Sequence, residues 1–155
     1  MVRRVRYSVA MSLDGYIAGP NGENDWIIMD PDIDFGAMFN QFDTVLMGRK
    51  TYEAVKGQGG GGGMPGMVAY VFSNKLKAGQ ARGVTITADA AGTIAQLKDA
   101  PGKDIWLFGG GGLFGSLLEL GLVDSVEVAI IPVLLGAGLP LLHGPAKLAR
   151  LKLAK

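Results

Sequence analysis

A chain of 155 residues fits one domain, read here as residues 1–155, and leaves no room for a second with its own core. With 15 basic and 14 acidic residues the formal charge is +1, which gives no broad electrostatic footprint for nucleic acid or a membrane surface. The sequence has no cysteine and one histidine, so disulfides, thiolate sites and cysteine nucleophiles are excluded and no metal is expected.

Val5, Tyr7, Val9 and Met11 alternate with Arg4, Arg6, Ser8 and Ala10, the period of a strand with unlike faces. Nothing ahead of this strand has the form of a signal peptide. The longest apolar stretch, Val128 to Leu142, is broken by Pro132, Gly136, Gly138 and Pro140 and falls short of the ~20 residues of a membrane helix. A soluble cytoplasmic protein is expected.

Ser12 to Ala18 leads into the turn-rich Gly19-Pro20-Asn21-Gly22. Phe35, Met38, Phe39 and Phe42 fall at helical spacing, with Asp30-Pro31 as cap and first position. A short strand at Asp43–Met47 ends at Gly48-Arg49-Lys50-Thr51, where a second helix begins. The glycine run from Gly57 to Gly63, interrupted by Gln58, suits a mobile surface loop, because ordering each glycine costs much backbone entropy.

Met67–Phe72 and Val84–Thr87 have the composition of strands, and Thr93–Lys98 that of a short helix with Ile94 and Leu97 inward. Asp104–Phe108 is a compact apolar strand running into Gly109–Gly112. Leu113, Leu117 and Leu120 give the following helix its stripe, with Gly121 as its stop. Val123–Val133 reads as a long strand and Leu148–Leu153 as a last short one. Strands alternating with helices, with few hairpin signals, predict an α/β domain with a largely parallel sheet.

The strongest chemical feature is the strand–glycine–helix junction Gly109-Gly110-Gly111-Gly112-Leu113-Phe114-Gly115. A helix start offers free N–H groups and a positive dipole end to a phosphate. Gly110, Gly112 and Gly115 satisfy G-x-G-x-x-G, but a Rossmann domain would carry it on the first strand with an acid ~20 residues on, and neither holds. The competing structural reading is a glycine turn that lets a helix pack close to the sheet. Gly48-Arg49-Lys50-Thr51 stands at a second strand end, either a pyrophosphate or ribose-phosphate site or a solvated basic turn. Ser73-Asn74 follows a third, where ordinary turn residues are also expected. Ligands of open α/β sheets bind outside the carboxyl ends of strands, and one extended cofactor would use all three.

Among the carboxylates, Asp14 lies just past the first strand, as a turn residue or a site residue. Asp30, Asp32 and Asp34 surround a helix start, where acids suit the dipole, and Asp32 lies nearest the inward face. Trp26 either walls a pocket for a flat ring or plugs the core. No G-x-S-x-G elbow accompanies His143, which argues against a Ser–His–Asp triad.

Five segments in order resemble the dihydrofolate reductase superfamily, and within it the branch related to the C-terminal reductase domain of the riboflavin biosynthesis protein RibD. They are Val9–Ala18, Val45–Tyr52, Val71–Asn74, Ile105–Leu113 and Val126–Leu142. The resemblance implies a three-layer fold with a central mixed, mainly parallel sheet flanked by helices, and NADPH bound in an extended pose. It implies Ala10 and Ile17 at the nicotinamide, Gly109–Leu113 at the pyrophosphate, and Gly48, Arg49, Lys50, Thr51, Ser73 and Asn74 along the adenosine half.

Asp14 would be the catalytic acid facing a small-molecule substrate, with Trp26, Asp32 and Phe35 as substrate contacts. The implied activity is hydride transfer to a pyrimidine, a pteridine or a related C=N or C=O compound. A non-catalytic NADPH-binding module on the same fold is the alternative. A shortened or missing final strand is expected to leave a sheet edge for a homodimer.

Overall fold

The computed structural model describes residues 2–28, 30–57, 66–81, 83–144 and 147–155. The predicted alternation yields β1 (Val5–Ser12), β2 (Tyr16–Ala18), α1 (Phe35–Phe39), β3 (Phe42–Gly48), α2 (Arg49–Gly57), β4 (Val68–Phe72), β5 (Gly79–Ala81), β6 (Val84–Thr87), α3 (Ala90–Asp99), β7 (Asp104–Gly109), α4 (Gly111–Glu119), β8 (Ser125–Ile131) and β9 (Leu139–Pro140). Among the described residues the main sheet has seven strands in the order β5-β6-β4-β3-β7-β1-β8. Every neighbouring pair is parallel except β5 with β6. The strands β1, β3, β4, β6, β7 and β8 therefore end on one common rim.

Strand alternation sorts the apolar residues into two layers. Val5, Tyr7, Leu46, Ile105 and Leu107 meet Ile94 of α3 and Phe114 and Leu117 of α4 on one face. Val45, Met47, Ala69, Val71 and Trp106 meet Tyr52 of α2 on the other. Tyr7 stacks on Phe114 at 4.0 Å and donates its hydroxyl to the Leu141 carbonyl at 2.8 Å, joining β1, α4 and the chain beyond β9.

Three expectations fail. Phe42 does not extend a helix from Phe35. Asn40 caps α1, and Phe42 opens β3, with its ring 5.8 Å from Trp106 and beneath the Arg6 guanidinium at 4.6 Å. The cap is Asp34, whose carboxylate accepts from Ala37 N at 3.0 Å. Asp30 instead accepts from Asp32 N at 2.9 Å, a turn preceding the helix. Leu148–Leu153 forms no strand: those residues have no regular structure, and Leu148, Leu151 and Leu153 are exposed. The short strands β2, β5 and β9 were not foreseen. The glycine run beyond Gly57 lies outside the described residues.

Candidate functional site

The parallel register brings the predicted segments together. Gly48 pairs with Phe72 across β3–β4, and Met47 with Gly109 across β3–β7. Gly48–Thr51, Ser73-Asn74 and Gly109–Leu113 are thus adjacent on the rim, with Ala10 on the next strand, β1. A side chain at Gly48 would touch Leu113 at 3.9 Å, and one at Gly110 would touch Thr51 Oγ1 at 3.6 Å. Helix α4 has Gly110 as its N-cap residue with no side-chain cap, which leaves its first N–H groups facing this junction without a carboxylate or hydroxyl of its own. Gly109 has φ of 141°, a conformation open essentially to glycine.

The junction's glycines divide into two kinds. A Cβ at Gly111 would lie 2.6 Å from the Pro140 carbonyl oxygen, and one at Gly115 would lie 2.7 Å from that of His143. Those two residues are small because the end of β9 and the chain after it cross the helix at backbone contact. Gly112 is different: it is exposed, and a Cβ there would meet nothing within 4 Å. The close-packing reading of the glycine junction therefore holds at Gly111 and Gly115, and it does not account for Gly112.

The other rim residues are partly engaged. Arg49 forms an i,i+4 ion pair with Glu53 at 3.1 Å, while Lys50 is exposed. Ser73 Oγ accepts from Lys75 N and Leu76 N, both at 3.0 Å, and so closes the turn after β4. Ile17 lies in β2, which is strapped antiparallel to β9.

Asp14 is fixed by the chain itself. Its carboxylate accepts from Ser12 Oγ at 2.6 Å, Gly136 N at 2.8 Å and Leu135 N at 3.1 Å. These bonds, the Ser12 hydroxyl first and the Gly136 amide next, lower its pKa from 3.8 to about 2. At neutral pH the group offers a charge and an acceptor but no proton. Its folded pKa lies below its unfolded one, so its stabilising contribution is complete above about pH 4 and lost as pH falls through about 2. Asp14→Ala is expected to melt below wild type at neutral pH, with the gap closing as the buffer is taken from pH 4 towards 2. A gap that is constant with pH would mean that the Asp14 charge does not contribute to stability.

Of the predicted substrate residues, Phe35 is half-buried and reaches an aromatic group that sequence reasoning missed. Its ring lies 6.4 Å from Phe39, Phe39 lies 5.3 Å from Trp106, and Phe108 meets Trp106 edge-on at 5.0 Å. Trp26 belongs to the preceding loop, where its indole N–H donates to the Glu23 carbonyl at 2.9 Å, and Asp32 is exposed in the turn before α1. The alternation of Trp106 and Phe108 along one strand was the signal available for the aromatic group. Among the described residues no helix is long and apolar enough to cross a membrane.

Several known proteins are similar to this chain in sequence or fold. Protein YyaP of Bacillus subtilis (strain 168), which is uncharacterised, is 38% identical over 155 residues, covering 90% of this chain and 80% of its own length. Protein YwjB of the same organism, also uncharacterised, is 33% identical over 157 residues, covering 99% and 90%. A crystal structure from Shewanella sp. PV-4, described as a riboflavin biosynthesis protein, superposes with a TM-score of 0.73 at 28% identity, covering 93% of this chain and 84% of that one.

Dihydrofolate reductase from Enterococcus faecalis, complexed with NADP(H), shares the fold with a TM-score of 0.67 at 20% identity, covering 90% and 77%. The Thermotoga maritima diaminohydroxyphosphoribosylaminopyrimidine deaminase/5-amino-6-(5-phosphoribosylamino)uracil reductase also scores 0.67, at 18% identity. The match covers 96% of this chain and 51% of that larger one. Residues 3–155 match the RibD C-terminal domain, and the chain belongs to that family of reductase-fold proteins.

Proposed function

We propose that this chain is an NADPH-dependent reductase that delivers hydride to a C=N or C=O carbon of a small heterocycle. What carries the reading is the adjacency of three phosphate-type strand ends on one rim, at β3, β4 and β7. The uncapped start of α4 suits a pyrophosphate, because its amides and dipole complement negative charge and the open side of Gly112 lets the ligand approach the backbone. Arg49, Lys50 and Thr51, with Ser73 and Asn74, would hold the adenosine half and a 2′-phosphate. Ala10 and Ile17 would border the nicotinamide.

NADPH supplies the hydride when bound; the protein's part is orientation and exclusion of water. Asp14 holds the Leu135–Gly136 turn against the end of β1, the strand that carries Ala10. It acts as an anion that positions this wall and can accept from a protonated substrate nitrogen. Commitment of Asp14 to backbone amides is also the observation favouring the second reading, a nucleotide-binding module without catalysis. Disappearance of nicotinamide absorbance with a pteridine or pyrimidine acceptor separates the two, since the module binds NADPH and never oxidises it.

Arg49→Ala is expected to weaken NADPH about tenfold or more, the scale of one charged hydrogen bond, and to leave NADH nearly unchanged. Calorimetric titration with both nucleotides checks this, and equal losses for both would place the 2′-phosphate elsewhere.

A homodimer through the outer edge of β8 completes the reading. That edge has no partner strand among the described residues, Ile130 on it is 59% exposed, and Leu148, Leu151 and Leu153 are also exposed. Sedimentation is expected to give about twice the 16.2 kDa chain mass; a single 16.2 kDa species at high concentration would exclude the dimer.

A further inference from the structure

The net charge of +1 conceals a cationic stretch that contains one acid. From Arg49 to Arg82 there are six lysines and arginines and a single carboxylate, Glu53. That carboxylate sits on the residue proposed to meet the 2′-phosphate. Arg49 Nη1 donates to both Glu53 oxygens, at 3.2 and 3.1 Å, while the Arg49 side chain is 28% exposed and that of Glu53 49%. Lys50, next in sequence, is exposed and joins no ion pair among the described residues.

Surface pairs four residues apart commonly support a helix, but this one runs against the helix dipole. Arg49 is the first residue of α2, at the positive end, and Glu53 follows one turn later; no acid stands in the first turn. Helix stability therefore gives no reason for this order.

A guanidinium carries five N–H donors, and both Glu53 bonds use Nη1. Nη2 and Nε make no hydrogen bond among the described residues, and together they form a fork that matches two phosphate oxygens. Arg49 can thus hold a phosphate on Nη2 and Nε while Glu53 stays on Nη1. The acid then orients the fork. Its charge also lies within the ~8 Å screening length of the phosphate, where like charges still repel. A ribose 2′-hydroxyl meets the opposite field: it is a neutral donor, and a carboxylate is a good acceptor for it.

We propose that Glu53 is a specificity-determining residue of the cofactor site, limiting the preference for NADPH over NADH that Arg49 creates. The inference rests on the NADPH reading and adds an opposing contribution to it. Arg49 favours the 2′-phosphate, whereas Glu53 penalises it and favours the free hydroxyl. Net discrimination is the difference of the two. Glutamine at position 53 separates the two roles of the acid, because its carbonyl oxygen still accepts from Nη1 and its charge is gone.

The test is calorimetric titration of the full chain, wild type and Glu53→Gln, with NADPH and with NADH at low and high salt. Glu53→Gln is expected to bind NADPH about threefold more tightly or better, the scale of one exposed charge interaction, and NADH equally or more weakly. High salt is expected to close the gap between the two proteins for NADPH. An effect on helix stability alone would move both nucleotides together.

Unchanged or weaker NADPH binding by Glu53→Gln overturns the proposal and leaves the cofactor reading intact. So does an equal change for both nucleotides. A folded wild-type protein that binds neither nucleotide sinks the cofactor reading and this proposal with it.

Discussion

Gly111→Ala is expected to destabilise the protein by about 2–3 kcal/mol, whereas Gly112→Ala, one residue on, raises its melting temperature slightly and weakens NADPH about tenfold. At Gly111 the new methyl would lie 2.6 Å from the Pro140 oxygen, 3.1 Å from the Leu141 oxygen and 3.3 Å from the His143 nitrogen. All three are backbone atoms, so relief requires the end of β9 and the chain after it to move away from α4, the usual cost of overpacking. That same chain accepts the Tyr7 hydroxyl at Leu141, which ties the damage to the main core.

At Gly112 the methyl meets open space, and alanine gains up to ~1 kcal/mol of helix propensity over glycine. The open space is where the proposed pyrophosphate approaches the helix start. Thermal melts and NADPH titration of the two variants should therefore change in opposite order. A Gly112→Ala protein with wild-type NADPH affinity would detach the cofactor from α4.

Arg3→Ala is expected to cost about 2–3 kcal/mol, or on the order of 5–10 °C in melting temperature. Arg3 is 4% exposed and donates to the Lys103 and Leu97 carbonyls, to Thr44 Oγ1 at 2.8 Å and to Asp43 Oδ1 at 2.5 Å. Burial alone would push the Asp43 carboxyl up, but the Lys103 amide, Thr44 and Arg3 outweigh it and hold the group below the usual carboxylate range.

Removing the guanidinium leaves that carboxylate without its counter-charge and two carbonyls without a donor. Asp43 is 36% exposed, so water softens the loss. Adding Asp43→Asn to Arg3→Ala is expected to recover part of it. A denaturant series on both variants checks this, and an Arg3→Ala midpoint equal to wild type would mean that water replaces every bond.

The rim was legible because it follows from local signals. Apolar runs ending at Gly48, Phe72 and Gly109 predict parallel strands with loops on one side, and the register of the sheet then makes the loops neighbours. Phe42 misled because it continues the Phe35–Met38–Phe39 spacing; only its packing against Trp106 and Arg6 places it in a strand. Leu151 and Leu153 alternate as a strand does, yet a strand also needs a partner, and alternation carries no information about one.

The same limit applies within the glycine junction. Gly111, Gly112 and Gly115 are alike in sequence and are told apart by a segment some 30 residues downstream. Asp14 is similar, since the amides that fix it lie 121 and 122 positions away. The two-residue β9 and three-residue β2 are too short to show any period.

In the proposed function one extended phosphate-bearing cofactor lies along the ends of β3, β4 and β7. The most direct measurement is an amide-shift titration of the labelled protein with NADPH. Perturbations are expected to concentrate at Gly48–Thr51, Ser73-Asn74 and Gly110–Leu113 and to reach Ala10 at the nicotinamide end. Absence of shifts in the folded protein, or shifts confined to another surface, would contradict it.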